Sequence, residues 1–339
     1  MSVHPRRRFL LRGLTLVSLG LLAACGLSPR AAPTPVRVPR IGWLAFGTPE
    51  GMLPLLDSLR QGLSDLGYVE GQNFIIEARW ANRQQERLDD LAAELVRLNP
   101  DVIVSQATPA SLAAKAATTK IPIVAVSISD PVGSGLVTSV AHPGGNLTGI
   151  GNTPPSLGAK RLQLLKETAP SISRVAVFWN PDNPVDASTL AVTQQATQDP
   201  SLKTAVLPFT VRNAGEFSSA FQQALDQRAN GAIFMAGALS GCCMPQIVDF
   251  ANQNRLPAMH DTRITGPDAG GLMSYAPSSV GNYRHAATLV DKILKGANPA
   301  ELPVEQPSIF EFVINLQAAQ AIGLTIPQSV VQQATEVIR

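Results

Sequence analysis

From Arg40 onward the chain alternates between short apolar runs and longer segments in which leucines recur every three or four residues. The apolar run "RIGWLAF" precedes a leucine stripe from Leu55 to Leu66, and "NFIIEARW" precedes a second stripe from Leu88 to Leu98. A period of about 3.6 residues indicates a helix, and a short apolar run between helices indicates a buried strand. The alternation predicts parallel sheets with helices on both faces, because parallel strands need long crossover connections.

A segment rich in Gly and Pro, "DPVGSGLVTSVAHPGGNLTGIGNTPPS", interrupts this rhythm before the alternation starts again. The chain has 339 residues, which is more than a single core usually holds. We therefore expect an α/β fold of two doubly wound parallel-sheet lobes joined by crossing strands. The predicted first lobe consists of residues 40–150 and 277–339, and the predicted second lobe consists of residues 151–276.

The first residues of the chain have the pattern of an export signal. A basic stretch, "RRRFLLR", precedes the apolar stretch "GLTLVSLGLLAA", which is too short to span a bilayer. Small residues then precede Cys25 in "LAAC", a pattern that resembles the lipobox of bacterial lipoproteins, in which the cysteine is diacylated after cleavage. We predict a signal peptide over residues 1–24 and lipidation of Cys25. The alternative is an ordinary signal peptide with an incidental cysteine, and "RRRFL" also resembles a twin-arginine export signal.

Residues 25–39 are rich in Pro and small residues, which predicts an extended tether between the lipid anchor and the lobes. The full chain has a formal net charge of +2. Without residues 1–24, Lys and Arg fall from 27 to 23 against 25 Asp and Glu, which leaves −2. A mature chain so close to neutral has no obvious footprint for nucleic acid. We expect a monomer that is attached to the membrane through its lipid and has no nucleic-acid partner.

The cysteines have two possible roles, in a disulfide or at a metal site. Export predicts an oxidising compartment, and the chain beyond Cys25 contains only the neighbours Cys242 and Cys243. Adjacent Cα atoms are about 3.8 Å apart, whereas disulfides prefer about 4.4–6.8 Å, so a disulfide between these neighbours would be strained. Two buried thiols in a loop are the favoured interpretation. No Cys and His arrangement has zinc spacing, and no metal or cofactor is expected.

Two of the predicted strands end in a Thr-Pro dipeptide directly before a predicted helix. Thr48-Pro49 follows the strand "RIGWLAF", and Thr108-Pro109 follows the strand "DVIVS". Thr at the N-cap accepts hydrogen bonds from the first helical turn, and Pro suits the first helical position. A helix N-terminus at a strand end presents N–H donors and a positive dipole to an anion. The two dipeptides predict an anion site in the first lobe, with simple helix capping as the alternative.

Other polar and aromatic residues also lie near predicted strand ends, where parallel sheets bind their ligands. Asp130 suits a ligand ammonium group, and it equally suits capping of the turn that follows. Aromatic side chains there can form an apolar wall, although such residues are more often part of the core. The predicted ligand-binding residues are Phe46, Gly47, Thr48, Gln106, Ala107, Thr108, Ser127, Ser129, Asp130, Asn180, Ala236, Asp261 and Tyr275.

Catalytic sequence patterns are missing. The sequence has no GxSxG elbow, no HExxH motif and no Walker A loop, and "GSG" does not sit between a first strand and its helix. His260 precedes Asp261, but a single His-Asp pair is weak evidence for catalysis. Binding of a small molecule is therefore favoured over enzymatic turnover. An exported hydrolase is the less favoured alternative, because it would need a nucleophile or an acid pair in the cleft.

Several long blocks of the sequence resemble one family. These blocks are "LSDLGYVEGQNFIIEARWA", "LAAELVRLNPDVIVSQATPASLAAK", "IPIVAVSISDPVGSGLVTSVAHPGGNLTG", "GGLMSYAP", "VDKILKGANPAELPVEQPSIFEFVIN" and "AIGLTIPQSV". They resemble the ABC transporter substrate-binding protein family, which includes the TrpX-type lipoproteins that bind tryptophan or tyrosine. The resemblance runs from about Arg40 to the C-terminus. It implies a type I periplasmic-binding fold with the ligand in a cleft between two lobes. The segment "GALSGCCMPQ" departs from the family pattern, which lacks paired Cys and often carries Asp-Pro nearby.

The resemblance implies an extracytoplasmic solute-binding lipoprotein of an ABC importer, with a membrane permease as its partner. The ligand would be a small solute such as an amino acid, aromatic in some members, held by hinge closure. The carboxylate of an amino acid would lie on Thr48, Thr108 and nearby N–H groups, with Asp130 or Asp261 facing its ammonium group. A ligand sensor that feeds a partner receptor would share every one of these features. A LacI-type regulator shares the fold but needs an N-terminal helix-turn-helix, where this chain has a leader.

Overall fold

A computed structural model of the chain describes residues 37–152, 154–235, 237–263 and 265–339, with only the backbone of residues 237–242. The predicted signal peptide, Cys25 and most of the predicted tether lie outside the described residues, as do Ala236 and the side chain of Cys242. Cys243 is buried, as the favoured interpretation expects, but it lies within the helix Gly237–Gln253 and not in a loop. Residues 38–339 pack as one unit.

The strands and helices follow one another in the alternating order that the sequence predicts. The strands are β1 (Arg40–Ala45), β2 (Ile75–Trp80), β3 (Val102–Gln106), β4 (Ile123–Ile128), β5 (Leu147–Gly151), β6 (Arg174–Trp179), β7 (Ala205–Thr210), β8 (Gly231–Phe234), β9 (Ala258–His260), β10 (Met273–Pro277), β11 (Phe310–Asn315) and β12 (Glu336–Ile338). The helices are α1 (Pro49–Asp65), α2 (Leu88–Arg97), α3 (Ala107–Ala117), α4 (Leu157–Thr168), α5 (Pro184–Ala196), α6 (Phe217–Asp226), α7 (Gly237–Gln253), α8 (Ser279–Leu294), α9 (Leu316–Ala321) and α10 (Gln328–Val331).

The first lobe is built on a parallel sheet with the strand order β2-β1-β3-β4-β5. Trp43 lies on one face of this sheet, where it packs with leucines of α1 and with Tyr283 of α8. The opposite face packs against Leu91 and Leu95 of α2 and against the alanines of α3. Helices therefore cover both faces, and the predicted doubly wound arrangement is confirmed for this lobe.

The second lobe is built on a sheet with the strand order β12-β11-β10-β9-β8-β6-β7. One face carries a phenylalanine cluster in which Phe178 and Phe234 stack with centroids 4.9 Å apart. The opposite face packs against Leu162 and Leu165 of α4. Each fully buried side chain of this size contributes about 1.5–3 kcal/mol to folding. Two doubly wound α/β lobes are thus present, as the sequence predicts.

The C-terminal strands depart from the prediction in two ways. The expected first lobe included residues 277–339, but β11 and β12 belong to the second sheet. The β10–β11 pair is antiparallel, so the second sheet is not entirely parallel. The physical reason is that Pro277 ends β10 at the lobe boundary, and the chain returns from α8 to run back alongside the same strand. Only α8 and the residues up to about 305 pack with the first lobe.

Three chain segments cross between the lobes. The first crossing follows Gly151 at the end of β5, and the second follows Pro277 at the end of β10. The third crossing follows Glu305, whose backbone exchanges hydrogen bonds with Gly149 and Gly151 at 2.9 and 2.8 Å. These three crossings are the covalent connections between the two packed cores. In the part of the chain that the structure describes, no helix has the length and apolarity needed to cross a membrane.

Candidate ligand-binding cleft

Two cavities lie between the lobes at the carboxyl ends of the strands. The first, of about 310 Å³, is lined by Ser129 and Asp130 from the first lobe and by Val185 and Ser188 of α5. Since residues from both lobes line the same cavity, a ligand there would touch both. A volume of this order suits a small molecule.

The second cavity has a volume of about 430 Å³ and is also lined by residues of both lobes. Its walls include Met52 of α1, Asp261 after β9, and Ser274 of β10. Asn152, which directly follows β5 in the first crossing, lines both cavities. The two cavities are therefore neighbours in the cleft between the lobes and share Asn152 on their walls.

Neutral side chains hold the strand ends of the first lobe together. The backbone N–H of Phe46 donates to Oε1 of Gln106 at 3.1 Å, which links the end of β1 to the end of β3. The backbone N–H of Ser129 donates to Oγ1 of Thr108 at 3.0 Å, which links the loop after β4 to α3. Four of the predicted residues are thus brought together by direct hydrogen bonds.

Several residues at these strand ends have a left-handed backbone. The φ angles are 64° at Ala107, 61° at Ser127 and 40° at Asp130, and Asn82 and Arg83 after β2 are also positive. Such a conformation costs a residue other than glycine about 1–2 kcal/mol. Strain of this kind persists only where the surroundings impose it, and it clusters at ligand-binding positions. The strained residues lie at the carboxyl ends of β2, β3 and β4; Asp130 lines the first cavity, and the other four line neither cavity.

The two Thr-Pro dipeptides have different roles in the structure. Thr48 is the N-cap of α1, and its Oγ1 accepts from the N–H of Gly51 at 3.4 Å, so this prediction is confirmed. The prediction that Thr108 caps the next helix is wrong, because α3 begins at Ala107. The helix begins two residues earlier than predicted, at the left-handed Ala107, and Thr108 lies inside its first turn. The Thr108 hydroxyl is therefore available to Ser129 of the neighbouring loop.

Asp130 combines the two alternatives that its sequence position left open. Its Oδ1 accepts from the N–H of Gly133 at 2.9 Å, which is the predicted capping of the following turn. The residue is exposed and lines the first cavity, so its charge also faces the cleft. No ion pair to Asp130 is found among the described residues.

The other predicted residues are less directly placed. Asp261 lines the second cavity. The backbone N–H of Asn180 donates to Asp186 at 3.0 Å and its side-chain oxygen accepts from Asp182, so Asn180 shapes its own loop and lines neither cavity. Tyr275 stacks on Phe310 with centroids 5.8 Å apart and also lines neither cavity.

Ala236 lies outside the described residues. Gly47 is covered by Met52, whose Cγ would lie 2.7 Å from an added Cβ.

A buried arginine behind the second-lobe edge was missed by sequence reasoning. The guanidinium of Arg161 on α4 donates to the backbone carbonyl of Tyr275 at 2.9 Å and to that of Asp261 at 3.2 Å. Burial lowers the pKa of Arg161, while the carboxylates of Asp261 and Asp186 oppose that shift. Burial also raises the pKa of Asp186 to about 6. Arg161 therefore fixes the backbone at the point where Asp261 meets the cavity.

The His260–Asp261 pair does not form a catalytic dyad. His260 is buried at the end of β9 and stacks on Phe234, with centroids 5.2 Å apart. Burial lowers its pKa to about 4, so the ring is neutral at neutral pH. Its Nε2 has no hydrogen-bond partner among the described residues. No group of His, Cys, Asp and Glu within the described ranges is arranged to hold a metal ion.

Two doubly wound lobes, three crossings and an interlobe cleft at the strand ends define a solute-binding protein of the type I periplasmic class. A family model described as "ABC transporter substrate binding protein" matches residues 41–338. The chain belongs to the ABC transporter substrate-binding protein family. This is a family of extracytoplasmic solute-binding proteins that work with ABC permeases.

Individual relatives agree with this assignment. The chain is 27% identical over 284 residues to a protein of Clostridioides difficile named "Tyrosine-binding protein", which covers 80% of this chain and 78% of that relative. A Streptococcus pneumoniae structure of an ABC domain in complex with L-Trp has a TM-score of 0.73 and 24% identity, covering 88% of this chain and 99% of that one. A conserved domain protein of Vibrio cholerae has a TM-score of 0.72 and 25% identity, covering 89% and 100%. Sugar-binding proteins share the fold at lower identity, for example one from Bacillus halodurans with a TM-score of 0.63 and 13% identity.

Proposed function

We propose that the chain is the solute receptor of an ABC importer and captures a small solute, an amino acid, in the interlobe cleft by hinge closure. The observation that carries this proposal is that Met52 of the first lobe and Asp261 of the second lobe line one cavity. A solute that touches both lobes binds the closed arrangement more tightly than the open one. Its differential affinity for the two states then drives closure. A permease that recognises the closed form would receive only loaded protein.

Amino acids are the favoured ligand class. The relatives include one named for tyrosine binding and one solved with L-Trp. In this chain, the N-terminus of α1 after Thr48 and the linked Thr108 and Ser129 offer N–H and hydroxyl groups to a carboxylate. Asp130 and Asp261 offer acceptors to an ammonium group from the two sides of the cleft. These contacts favour a molecule that carries both groups.

Titration of the purified mature chain with the common L-amino acids by calorimetry tests this proposal. At least one amino acid should bind with a dissociation constant well below millimolar, and with a negative heat-capacity change as apolar surface is buried. Before titration, the chain should be unfolded and refolded to remove any ligand carried from the cell. If none of the amino acids binds, the proposed ligand class is wrong even though the fold remains that of a solute receptor.

We further propose that the chain is exported and anchored to the membrane through Cys25. The support is the leader pattern, with "LAAC" after an apolar stretch, and the Pro-rich residues 25–39 that would hold the lobes away from the surface. Growth with a labelled fatty acid should label the chain, and Cys25→Ser should abolish both the label and the membrane fraction. Label that persists in Cys25→Ser would place the lipid elsewhere or exclude this anchor.

A further inference from the structure

The cleft carries an unbalanced set of charges. The described charged residues that line its two cavities are four carboxylates and one guanidinium, namely Asp130, Asp261, Asp268 and Glu311 against Arg263. The residues within the lobes that the structure does not describe, Thr153, 236–242 and Ile264, include no Lys or Arg. Their placement therefore cannot add a cation to the cleft. Like charges that face one cavity repel each other unless a cation enters.

The guanidinium of Arg263 is already occupied by the protein. It donates to both carboxylate oxygens of Glu336 at 2.8 and 3.1 Å, and to Asp268 at 3.1 Å. These hydrogen bonds raise the pKa of Arg263, so it stays charged and paired. Two-pronged arginine–carboxylate pairs are among the stronger polar contacts in proteins. Arg161 lines neither cavity: it is buried, it donates to backbone carbonyls, and its charge interacts with the carboxylates of Asp261 and Asp186.

Glu311 and Ser274 form an acceptor pair on the wall of the second cavity. Glu311 is paired with Ala276 across the β10–β11 ladder, and Ser274 lies two residues from Ala276, so all three side chains lie on one face of the sheet. Glu311 accepts a hydrogen bond from the Ser278 hydroxyl and has no ion pair among the described residues.

Ser274 is 1% exposed, and its Oγ lacks a hydrogen-bond partner in the described part of the chain. A buried polar atom without a partner costs free energy until a ligand atom satisfies it. Ser274 thus marks a point on the wall where a polar ligand atom would be satisfied, and its hydroxyl oxygen can accept from a cationic donor.

The approach to this acceptor pair is apolar. Met52 and Leu55 of α1 line one side of the second cavity, and Ala276 and Val280 line another. Methylene groups pack well against such walls, while the charged head of a long side chain reaches a polar end. The second cavity therefore has the composition of a channel for an aliphatic stem that ends in a cation.

We propose that the solute is an amino acid with a second cationic group, of the arginine or lysine type, and that its side-chain charge binds at Glu311 and Ser274. This inference rests on the proposed function, because it assigns a substrate class to the same cleft. A neutral amino acid brings one ammonium group and leaves either Asp130 or Glu311 without a cation. A cationic amino acid satisfies the α-ammonium site and the second cavity together.

Calorimetric comparison of L-arginine with L-citrulline on the unmodified chain tests this proposal without any mutation. The two ligands have nearly the same shape, but citrulline lacks the positive charge. A charge-assisted hydrogen bond in a half-buried site corresponds to a factor of about ten or more in affinity. We therefore expect L-arginine to bind at least about tenfold more tightly than L-citrulline, and L-lysine to exceed L-norleucine in the same way.

The variant Glu311→Gln localises the effect. The amide retains an oxygen that can accept from Ser278, so the fold is kept while the charge is removed. The arginine-to-citrulline ratio should fall by about tenfold in this variant. Glu301→Gln, at an exposed position of the first lobe, is the matched control and should leave the ratio as it was.

The outcomes separate this inference from the proposed function. Binding of a neutral amino acid as tightly as its cationic counterpart overturns the inference and leaves the proposed function intact. An arginine preference that survives in Glu311→Gln also overturns it, because the charge would then be recognised elsewhere. Failure of all amino acids to bind overturns both proposals at once.

Discussion

The two lobes form their sides of the cleft by different physical means. In the first lobe, neutral side chains such as Gln106 and Thr108 tie the strand ends together, and the backbone there is strained at Ala107 and Ser127. In the second lobe, the buried Arg161 and its neighbouring carboxylates hold the corresponding edge. The left-handed residues of the second lobe, for example Arg228 and Arg255, lie at helix ends away from the cavities.

The two lobes therefore differ in which interactions hold their side of the cleft in place. Backbone strain is a local cost of about 1–2 kcal/mol per residue, and bound solute can compensate it. A buried charge network stabilises the fold only when all its partners are present, because removing one partner leaves another charge unpaired in a low dielectric. We therefore expect changes in the second-lobe network to affect stability first, and changes in the first-lobe edge to affect affinity first.

The largest expected effect comes from Arg161→Met, which keeps an unbranched aliphatic stem and removes the guanidinium. The carbonyls of Tyr275 and Asp261 would lose their donor, and Asp186 would lose a compensating charge. Breaking a buried charge network in this way costs about 3–5 kcal/mol in the free energy of unfolding, measured by urea denaturation.

Arg97→Met is the matched control for this substitution. Arg97 is exposed at the end of α2, and its replacement should change the free energy of unfolding by less than about 0.5 kcal/mol. If both variants have the same small effect, the charge network does not stabilise the second lobe, and the contrast between the lobes is lost.

A smaller effect is expected from the titration of Asp186. Its pKa is raised from 3.8 to about 6 by burial, so between these values the folded state binds a proton that the unfolded state releases. Stability from this group is fully present below pH 3.8 and is lost as pH rises through about 6. The loss corresponds to about 3 kcal/mol for the shift concerned.

The comparison of the wild-type chain with Asp186→Asn isolates this titration. Other groups contribute equally to both curves. The free energy of unfolding of the wild type should therefore fall relative to that of Asp186→Asn between about pH 4 and pH 7. Parallel stability curves for the two chains would mean that Asp186 titrates alike in the folded and unfolded states.

The smallest effect on stability is expected from Thr108→Val in the first lobe. Valine has the shape of threonine but cannot accept from the N–H of Ser129, which costs about 1 kcal/mol. Affinity for the solute should fall about tenfold, because the Ser129 loop loses its position at the first cavity. Thr119→Val at an exposed site of the same lobe should change neither quantity. Unchanged affinity in Thr108→Val would remove Thr108 from the site.

The sequence was sufficient to predict both sheets, because strand and helix periodicities are local signals. The C-terminal strands are assigned to the wrong lobe because the sequence of Phe310–Asn315 predicts a strand without indicating its sheet. Its pairing with β10 determines that it belongs to the second sheet. Thr108 was misjudged as a cap because nothing in the sequence marks Ala107 as left-handed, a conformation that alanine rarely adopts.

The polar residues of the site also differ in how far the sequence predicts their positions. Asp130 and Asp261 directly follow apolar runs, so their positions at the cleft could be predicted from the strand ends. Arg161 reads as an ordinary basic residue of an amphipathic helix, and its partner Asp261 lies 100 residues away in the chain. Glu311 and Ser274 come together only through an antiparallel pairing that the alternation does not predict.

The central claim is that one solute touches both lobes at their strand ends. Hydrogen–deuterium exchange with and without a saturating amino acid tests it most directly, since protection is reported for each segment. We predict slower exchange on both edges together, over residues 46–48, 106–108 and 127–130 of the first lobe and residues 261–263 and 274–276 of the second. Protection confined to one lobe, or absent from both despite measured binding, would contradict a solute held between them.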